Sequence, residues 1–248
     1  MDMLPVILLL IMMAGAAHGA LGFGFPMLST PILALAYDLQ TAVVLTMIPS
    51  SVVIILSLYN CRGINIDYEK YYPIILMTTI GSFSGAWLLT WVNPDILKLL
   101  LAASILIYLF SAPLKQFISM LSARALLFPA IMGSFAGVIG GATNAVSPVL
   151  MMYLLEVTES KKEIIVISNI CFLLSKMTQL AILSMHLTTD DLDPLLSGFI
   201  VTAASIGLIA GFWLQHRIDE TRYRSIIRGI LFTFMFTLFF EGGSNLFF

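Results

Sequence analysis

The stretch Gly15 to Pro31 reads GAAHGALGFGFPMLSTP, and it decides how the chain folds. It interrupts an apolar run that extends from Met3 to Tyr37. As one helix this run would be about 52 Å long at roughly 1.5 Å per residue, whereas the hydrocarbon core of a bilayer is about 30 Å thick. Glycine and proline weaken helix interiors. We therefore expect a helix to about Leu21, a turn, and a short second helix that makes the pair re-entrant.

The stretch has a second copy in the other half of the chain. Gly133 to Pro148 reads GSFAGVIGGATNAVSP, and the predicted pairing matches Gly15, Gly19 and Gly22 with Gly133, Gly137 and Gly140. A second landmark follows each copy, Gly81-x-x-x-Gly85-x-Trp87 and Gly207-x-x-x-Gly211-x-Trp213. Single GxxxG motifs are common in membrane helices because glycine permits close backbone approach. Four copies in the same order indicate a duplicated half.

Composition places the chain in a membrane. Of its 248 residues, 59% are hydrophobic and 10% are charged, and the mean hydropathy is +1.00, values that soluble domains do not reach. No basic face that could follow a nucleic acid is present, so nucleic acid is excluded as a partner. We predict one integral membrane domain made of a first repeat (1–115), a linker (116–124) and a second repeat (125–248).

The fold class expected is an all-α polytopic membrane protein with two inverted repeats. Each repeat comprises one glycine-broken re-entrant helical pair and three transmembrane helices. The glycine-broken pairs lie in 3–37 and 125–155. The predicted spans are 41–60, 73–92 and 96–110 in the first half and 164–187, 195–214 and 226–240 in the second.

Charge favours this topology over the alternative in which the broken elements cross the membrane completely. With re-entrant pairs the two halves lie inverted, and Lys98 is separated from the other basic residues of the joints. These fall on one face: Arg62, Lys70, Lys115, Arg124, Lys161, Lys162, Arg217, Arg222, Arg224 and Arg228. Full crossings would divide them between the faces. The positive-inside rule thus favours the inverted arrangement, with both termini outside the cytoplasm.

The two breaks are candidate binding sites, because broken backbone at membrane depth must line a cavity or be buried in protein. Thr30-Pro31 and Ser147-Pro148 each predict a hydroxyl cap followed by the first residue of a half-helix. Helix N-termini favour anions. Gly24 and Gly141 would let an anion approach the backbone, and Thr143 and Asn144 would add neutral donors. Alternatively, the hydroxyls bond carbonyls of their own helices, as is common in membranes.

Lys176 is the strongest single candidate for substrate binding. It lies near the middle of a predicted span, where a charge costs at least about 2.5 to 3.5 kcal/mol on insertion scales. We interpret it as the counter-charge for an anion; the alternative is a lysine that reaches an interface or has a structural partner. His18 could carry a proton or be a neutral structural residue, and Ser50 and Asn169 could line the cavity. No motif for a metal, a cofactor or a catalytic group is present, so an enzyme is not expected.

The motifs GALGFGF and GVIGGATN, the late prolines and the Gly-x-x-x-Gly-x-Trp of each half resemble the sulfite exporter TauE/SafE family, also called the 4-toluene sulfonate uptake permeases. The resemblance covers essentially the whole chain. It implies movement of sulfite, an organosulfonate or a related small anion across the prokaryotic inner (plasma) membrane by a multi-pass protein.

We therefore expect a secondary transporter, an exporter of a small sulfur-containing anion bound at mid-membrane between two half-helix N-termini. The alternatives are a passive small-anion channel and, from another class, a membrane enzyme or assembly factor. The partners expected are the small anionic substrate and the lipid bilayer, and the sequence leaves a homo-oligomer open.

Overall fold

The computed structural model describes residues 3–63, 65–110, 127–185, 194–215 and 220–247, which form helices joined by short turns. The helices are α1 (Leu4–Leu21), α2 (Phe25–Ala34), α3 (Leu39–Asn60), α4 (Tyr68–Trp91), α5 (Pro94–Leu109), α6 (Leu127–Thr143), α7 (Ser147–Val157), α8 (Lys161–Leu183), α9 (Pro194–Leu214) and α10 (Glu220–Phe247). Five of these are long and apolar enough to cross a membrane, namely α1, α3, α4, α8 and α9. The chain is a multi-pass membrane protein whose described residues form an all-helical fold. The predicted linker 116–124 lies outside the described residues.

The first break follows α1. Gly22 and Gly24 have φ angles of +83° and +101°, values that residues with a Cβ rarely adopt. The next helix, α2, begins at Phe25 with Pro26 in its first turn, where the missing N–H of proline costs nothing. The prediction of a half-helix that begins at Pro31 is therefore wrong. Pro31 lies inside α2, and Thr30 is not its cap.

The second break follows α6. Asn144 closes that helix with a φ of +65°. Helix α7 begins at Ser147 after an N-cap at Val146, so the prediction that Ser147 caps a half-helix starting at Pro148 is wrong by one residue. The side chain of Ser147 is outside the described part of the structure. The rings of Phe128, near the start of α6, and Tyr153, in α7, are 5.0 Å apart between centroids. The chain therefore reverses at this break, and α7 returns along α6.

Two helix pairs pack backbone against backbone through glycine. In the pair α1 and α9, a Cβ on Gly15 would overlap the carbonyl oxygen of Ala204. In the pair α4 and α6, a Cβ on Gly137 would overlap the carbonyl oxygen of Thr78. Such close approach maximises van der Waals contact between helices in lipid. The glycine motifs therefore hold together helices from different halves of the chain.

The packing partners match the glycines of the two predicted halves in a register that differs from the predicted one. A Cβ on each of these glycines would overlap a carbonyl oxygen of the partner helix, and the overlapped carbonyls correspond between the two pairs. The equivalent glycines are Gly15 and Gly137, Gly19 and Gly141, Gly207 and Gly81, and Gly211 and Gly85. The left-handed Gly22 is then equivalent to the left-handed Asn144. The predicted pairing of Gly15 with Gly133 is wrong by one helical turn. Helical repetition of glycine made both registers compatible with the sequence.

Helices α4, α6 and α8 run in the same direction. At the start of α4, the hydroxyl of Tyr71 donates to Glu163 at the start of α8. In the middle of α4, the hydroxyl oxygen of Ser82 lies 2.7 Å from that of Ser175, further along α8. Residue numbers therefore rise together in α4 and α8. The Nζ atom of Lys70 donates to the carbonyl of Val157 at 3.0 Å. The end of α7 and the starts of α4 and α8 thus share one end of the bundle.

The last residues of the chain belong to this fold. Helix α10 continues to Phe247, and the amide nitrogen of Asn245 donates to the carboxylate of Asp95 at 3.1 Å. Lys98 lies 3.4 Å from Glu241 between Nζ and Oε2. The C-terminal segment therefore packs on the start of α5.

Candidate functional site

Helix α8 contacts both breaks from one side. Near its first third, Asn169 donates to the carbonyl of Gly22 at 2.6 Å, which holds the first break. Two turns later, Lys176 and Gln179 reach the second break. Seven residues of helix span about 10 Å, so the two breaks lie close together beside one helix.

The second break carries a buried polar cluster around Lys176. This side chain is 4% exposed, and its Nζ donates to the Oδ1 of Asn144 and, at 2.8 Å, to the Oε1 of Gln179. The amide nitrogen of Gln179 donates to the carbonyl of Gly141 at 2.7 Å. Gln179 thus satisfies a carbonyl that the end of α6 leaves free and orients the lysine.

Asn144 connects this lysine to the first half of the chain. Its Oδ1 accepts from Lys176 and Gln179. Its Nδ2 donates to the hydroxyls of Thr30 at 3.0 Å and Thr46 at 2.7 Å. The orientation of the amide is therefore fixed on both sides, and α2, α3, α6 and α8 meet at one residue.

The cluster contains a buried lysine without an acidic partner. In the residues that the structure describes, no carboxylate forms an ion pair with Lys176, and both hydrogen-bond acceptors are neutral amides. An ammonium has three N–H groups, so one donor remains after these two bonds. Buried charges are normally paired, and the described part of the chain supplies no carboxylate for this one.

The first break carries a different set of polar groups. His18 is fully buried, and its Nδ1 accepts from the backbone N–H of Phe25 at 3.2 Å. Asn169 interacts with His18 and donates to Gly22. Sequence reasoning placed both residues in the anion site, whereas the structure places them around the first turn, apart from the cluster of Lys176.

The remaining candidates occupy varied positions. The hydroxyl of Thr143 donates to the carbonyl of Ile139 at 2.8 Å. Thr143 therefore bonds within its own helix, which is the alternative to a role in anion binding. The hydroxyl of Ser50 is buried and without a hydrogen-bond partner in the described structure. A Cβ on Gly24 would meet nothing within 4 Å, so open space adjoins this turn. Of the predicted site residues, Lys176, Asn144, Thr30 and Gly141 come together.

Sequence reasoning did not place two members of the cluster, Thr46 and Gln179, in the anion site. Thr46 lies one helical turn before Ser50, and Ser57 continues this buried polar stripe on α3, a periodic signal that was available in the sequence. Gln179 follows Lys176 at a spacing that places both on one helix face. Their contacts with Asn144 depend on how α3, α6 and α8 pack.

Comparison with known proteins gives a family but no individual relative. No curated protein and no solved structure matches the chain. The family model for the sulfite exporter TauE/SafE matches residues 7–238, which include both breaks, Lys176 and the glycines of both packed helix pairs. The chain therefore belongs to the sulfite exporter TauE/SafE family, and it is a membrane protein of the transporter type.

Proposed function

We propose that this protein exports a small sulfur-containing anion, such as sulfite or an organosulfonate, and binds it beside Lys176. The observation that carries the proposal is the buried ammonium of Lys176, which has neutral amide partners and no carboxylate partner among the described residues. Desolvation of an unpaired cation is costly, and a bound anion offsets this cost. A transporter gains from this arrangement because the site attracts anions without holding a permanent internal counter-ion.

The surrounding groups suit a small oxyanion. Thr30 supplies a hydroxyl and Lys176 has one unused donor, whereas the hydroxyl of Thr46 donates to the carbonyl of Val43 at 2.8 Å. Thr30 is fully buried and Asn144 is 2% exposed, so this conformation is closed to both aqueous sides. Entry of the anion requires the groups of α2, α6 and α8 to separate.

The repeat supplies the elements for such a movement. The inverted arrangement, with both broken elements re-entrant, is supported by the return of α7 along α6 and by the matched glycine packing of the two halves. Transporters of this type expose a central site by rocking one unit against another. We propose that this rocking, across the prokaryotic inner membrane, separates Asn144 from Thr30 and Thr46.

The direction follows from the membrane potential. An inside-negative potential drives an anion outward by about 2.3 kcal/mol per charge per 100 mV. Export of a monoanion therefore needs no coupled ion, whereas uptake would require one.

The proposal predicts that Lys176→Met abolishes anion binding and flux. Purified wild type and variant are compared by thermal shift and by flux in proteoliposomes, with sulfite, thiosulfate, sulfoacetate, taurine and carboxylate analogues. We expect an anion-dependent rise in the unfolding temperature and saturable flux in the wild type, and loss of both in the variant, because the counter-charge is gone. Lys162→Met is the matched control, since Lys162 is an exposed residue of α8.

Equal anion responses in Lys176→Met and wild type would refute the site. Flux that does not saturate and shows no counterflow would instead indicate a channel. If none of the anions stabilises or crosses with the wild type, the function itself is wrong.

A further inference from the structure

Helices α4 and α8 meet along a line of polar side chains that lies outside the cluster around Lys176. At each of three levels, a polar residue of one helix contacts a polar residue of the other. From the starts of the two helices inward, the pairs are Tyr71 with Glu163, Thr78 with Cys171, and Ser82 with Ser175. We call this line of six residues the α4–α8 seam.

The seam connects the anion site with one end of the bundle. The eleven residues from Tyr71 to Ser82 correspond to about 16 Å of helix, which is roughly half of the hydrocarbon core of a bilayer. Ser175, at the inner end of the seam, immediately precedes Lys176 in α8. The outer end of the seam lies where α4 and α8 begin, on the predicted cytoplasmic side.

The middle of the seam contains an unsatisfied hydroxyl. Thr78 is fully buried, and its Oγ1 has no hydrogen-bond partner among the described residues. The neighbouring thiol of Cys171 is a weak partner. Buried polar atoms without good partners are costly and need an explanation. A hydroxyl of this kind is available as a donor to an oxyanion.

The matched half of the chain has apolar residues at the corresponding positions. The side chains of Asp38 and Ser160 cap α3 and α8, which aligns these two helices, and the glycine packing aligns α9 with α4. In this alignment the two inner levels of the seam correspond to Ala204, Leu208, Pro49 and Val53. Hydroxyls between helices often serve only to hold them together. The apolar counterparts indicate that the packing of this fold does not require them.

The seam is also a contact that can open. Helix α4 packs Gly81 and Gly85 against the backbone of α6. Helix α8 contains no glycine, and the seam joins it to α4 through side chains. Side-chain hydrogen bonds can be exchanged for bonds to water or to an anion, whereas close backbone packing offers no such exchange. Helix α8 can therefore move away from α4 while α4 stays packed on α6.

From these observations we propose that the α4–α8 seam is the cytoplasmic half of the path by which the anion reaches Lys176, and that the contact between Tyr71 and Glu163 closes it. This inference rests on the proposed function. When α8 moves away from α4, the hydroxyls of the seam donate to the oxygens of the passing anion. They replace part of its hydration shell, which an apolar interface could not do.

The closing contact joins three helices at the outer end of the seam. Glu163 accepts from the hydroxyl of Tyr71 and, at 2.8 Å, from that of Thr158, which follows α7. Lys70 interacts electrostatically with this carboxylate and donates to the carbonyl of Val157. Loss of the bond to Tyr71 therefore frees the start of α8 from α4, while the nearby lysine offsets the negative charge that an entering anion meets.

Cys171 reports opening of the seam without any transport. The chain has two cysteines, so Cys61→Ser leaves Cys171 as its only thiol. The probe is sulfonatoethyl methanethiosulfonate, a membrane-impermeant thiol reagent that carries a sulfonate and is smaller than a maleimide. We expect it to modify Cys171 in inside-out vesicles and not in right-side-out vesicles. Protein unfolded in SDS gives the total reactive thiol. Modification from the other side only, equally from both sides, or from neither side overturns the proposal.

Tyr71→Phe tests the closing contact in the same Cys61→Ser chain. It removes the hydroxyl that donates to Glu163 and keeps the ring, so we expect the rate of Cys171 modification from inside-out vesicles to rise several-fold. Tyr72→Phe is the matched control, because Tyr72 is the exposed neighbour in α4, and its rate should stay at the unmodified level. Equal rates in the two variants would show that Tyr71 does not close the seam.

Thr78→Val and Ser82→Ala test the path itself. Flux in proteoliposomes is measured with the anion of the panel above that crosses fastest. We expect each variant to lower flux several-fold and to keep the anion-dependent thermal shift, because Lys176 is unchanged. Thr79→Val is the matched control, since the hydroxyl of Thr79 donates to the carbonyl of Ile75 within α4.

Wild-type flux in both seam variants overturns the path, as does an equal loss of flux in Thr79→Val. Loss of the thermal shift in the seam variants would also overturn it, because the effect would then lie in the anion site or in the fold. If no anion crosses with the wild type, the proposed function fails, and modification of Cys171 still decides whether the seam opens to the predicted cytoplasmic side.

Discussion

Asn144 has both a backbone role and a side-chain role at the second break. Its left-handed φ of +65° ends α6, a conformation that asparagine tolerates better than most residues. Its amide accepts from Lys176 and donates to Thr30 and Thr46. The equivalent residue, Gly22, ends α1 in the same conformation but has no side chain. The residue that closes one helix thus makes the two breaks chemically different.

Asn144→Asp should weaken anion binding strongly while leaving the protein folded. The new carboxylate has nearly the same shape and would pair directly with the Nζ of Lys176, which removes the need for an external anion. We expect the apparent affinity for the stabilising anion to fall at least about tenfold, a change of about 1.4 kcal/mol. The anion-dependent thermal shift measures this change.

Asn144→Gly is the matched control for this test. It preserves the left-handed backbone and removes the amide without adding a charge. Its unfolding temperature should fall, but anions should still stabilise it because Lys176 remains charged. Wild-type anion stabilisation of Asn144→Asp would contradict the role of Lys176 as counter-charge.

At the scale of elements, the glycine-packed helix pairs set the distance between the two halves. In the pair α4 and α6, a Cβ on Gly85 would overlap the carbonyl of Val138 and approach the nitrogen of Ala142 at 2.9 Å. Backbone atoms cannot move aside as flexible side chains can. The pair can therefore separate only as whole helices, which makes each pair a stiff unit for any rocking motion.

Gly85→Leu should severely destabilise the protein. Overpacking costs about 1 to 3 kcal/mol where side chains can adjust, and here the overlap is with backbone. We expect a lower unfolding temperature and a poor yield of monodisperse protein, both measured after purification in mild detergent. Gly198→Leu is the control, because a Cβ at Gly198 meets nothing within 4 Å. Equal stability of the two variants would show that the close packing of α4 and α6 is not required.

At the scale of the whole molecule, the described basic residues gather at one end of the bundle. Lys70 reaches the end of α7, Lys162 begins α8 near Cys61, and Arg62 lies over the ring of Tyr59 at 3.5 Å. Lys98 lies near the start of α5, which follows the opposite end of α4. This distribution agrees with the positive-inside rule and predicts a cytoplasmic location for the basic end. The basic residues 115, 124, 217, 222 and 224 fall outside the described side chains.

The two cysteines allow this orientation to be tested in the wild-type chain. Cys61 is half-buried after α3, and Cys171 is buried in α8, so a membrane-impermeant maleimide should react with Cys61. Burial raises the pKa of the Cys61 thiol, against the opposing effect of Lys162, so labelling is performed at mildly alkaline pH. We expect reaction in inside-out vesicles and none in right-side-out vesicles. Cys61→Ser is the control for specificity, and the reverse pattern would refute the topology.

The sequence by itself determined the class of the protein and the positions of both breaks. Hydropathy predicted the spans that form α3, α4, α8 and α9 because lipid demands long apolar helices. The predicted spans 96–110 and 226–240 lie in α5 and α10, which are not among the five helices that are long and apolar enough to cross a membrane, whereas α1 is. Glycine located the end of α1 at Leu21. The cost of an intramembrane charge identified Lys176 without any contact information. These signals are local: each depends on the solvent and on a few neighbouring residues.

Tertiary structure decided the register of the repeat, the start of α2 and the partners of Lys176. Glycines recur at nearly helical spacing, so only the contacts between α4 and α6 and between α1 and α9 distinguish one turn from the next. Pro26 and Pro31 both permit a helix start, and the left-handed Gly24 selects the first. Asn144, Thr46 and Gln179 lie on three helices, and their convergence depends on packing between residues far apart in the chain, which local patterns do not encode.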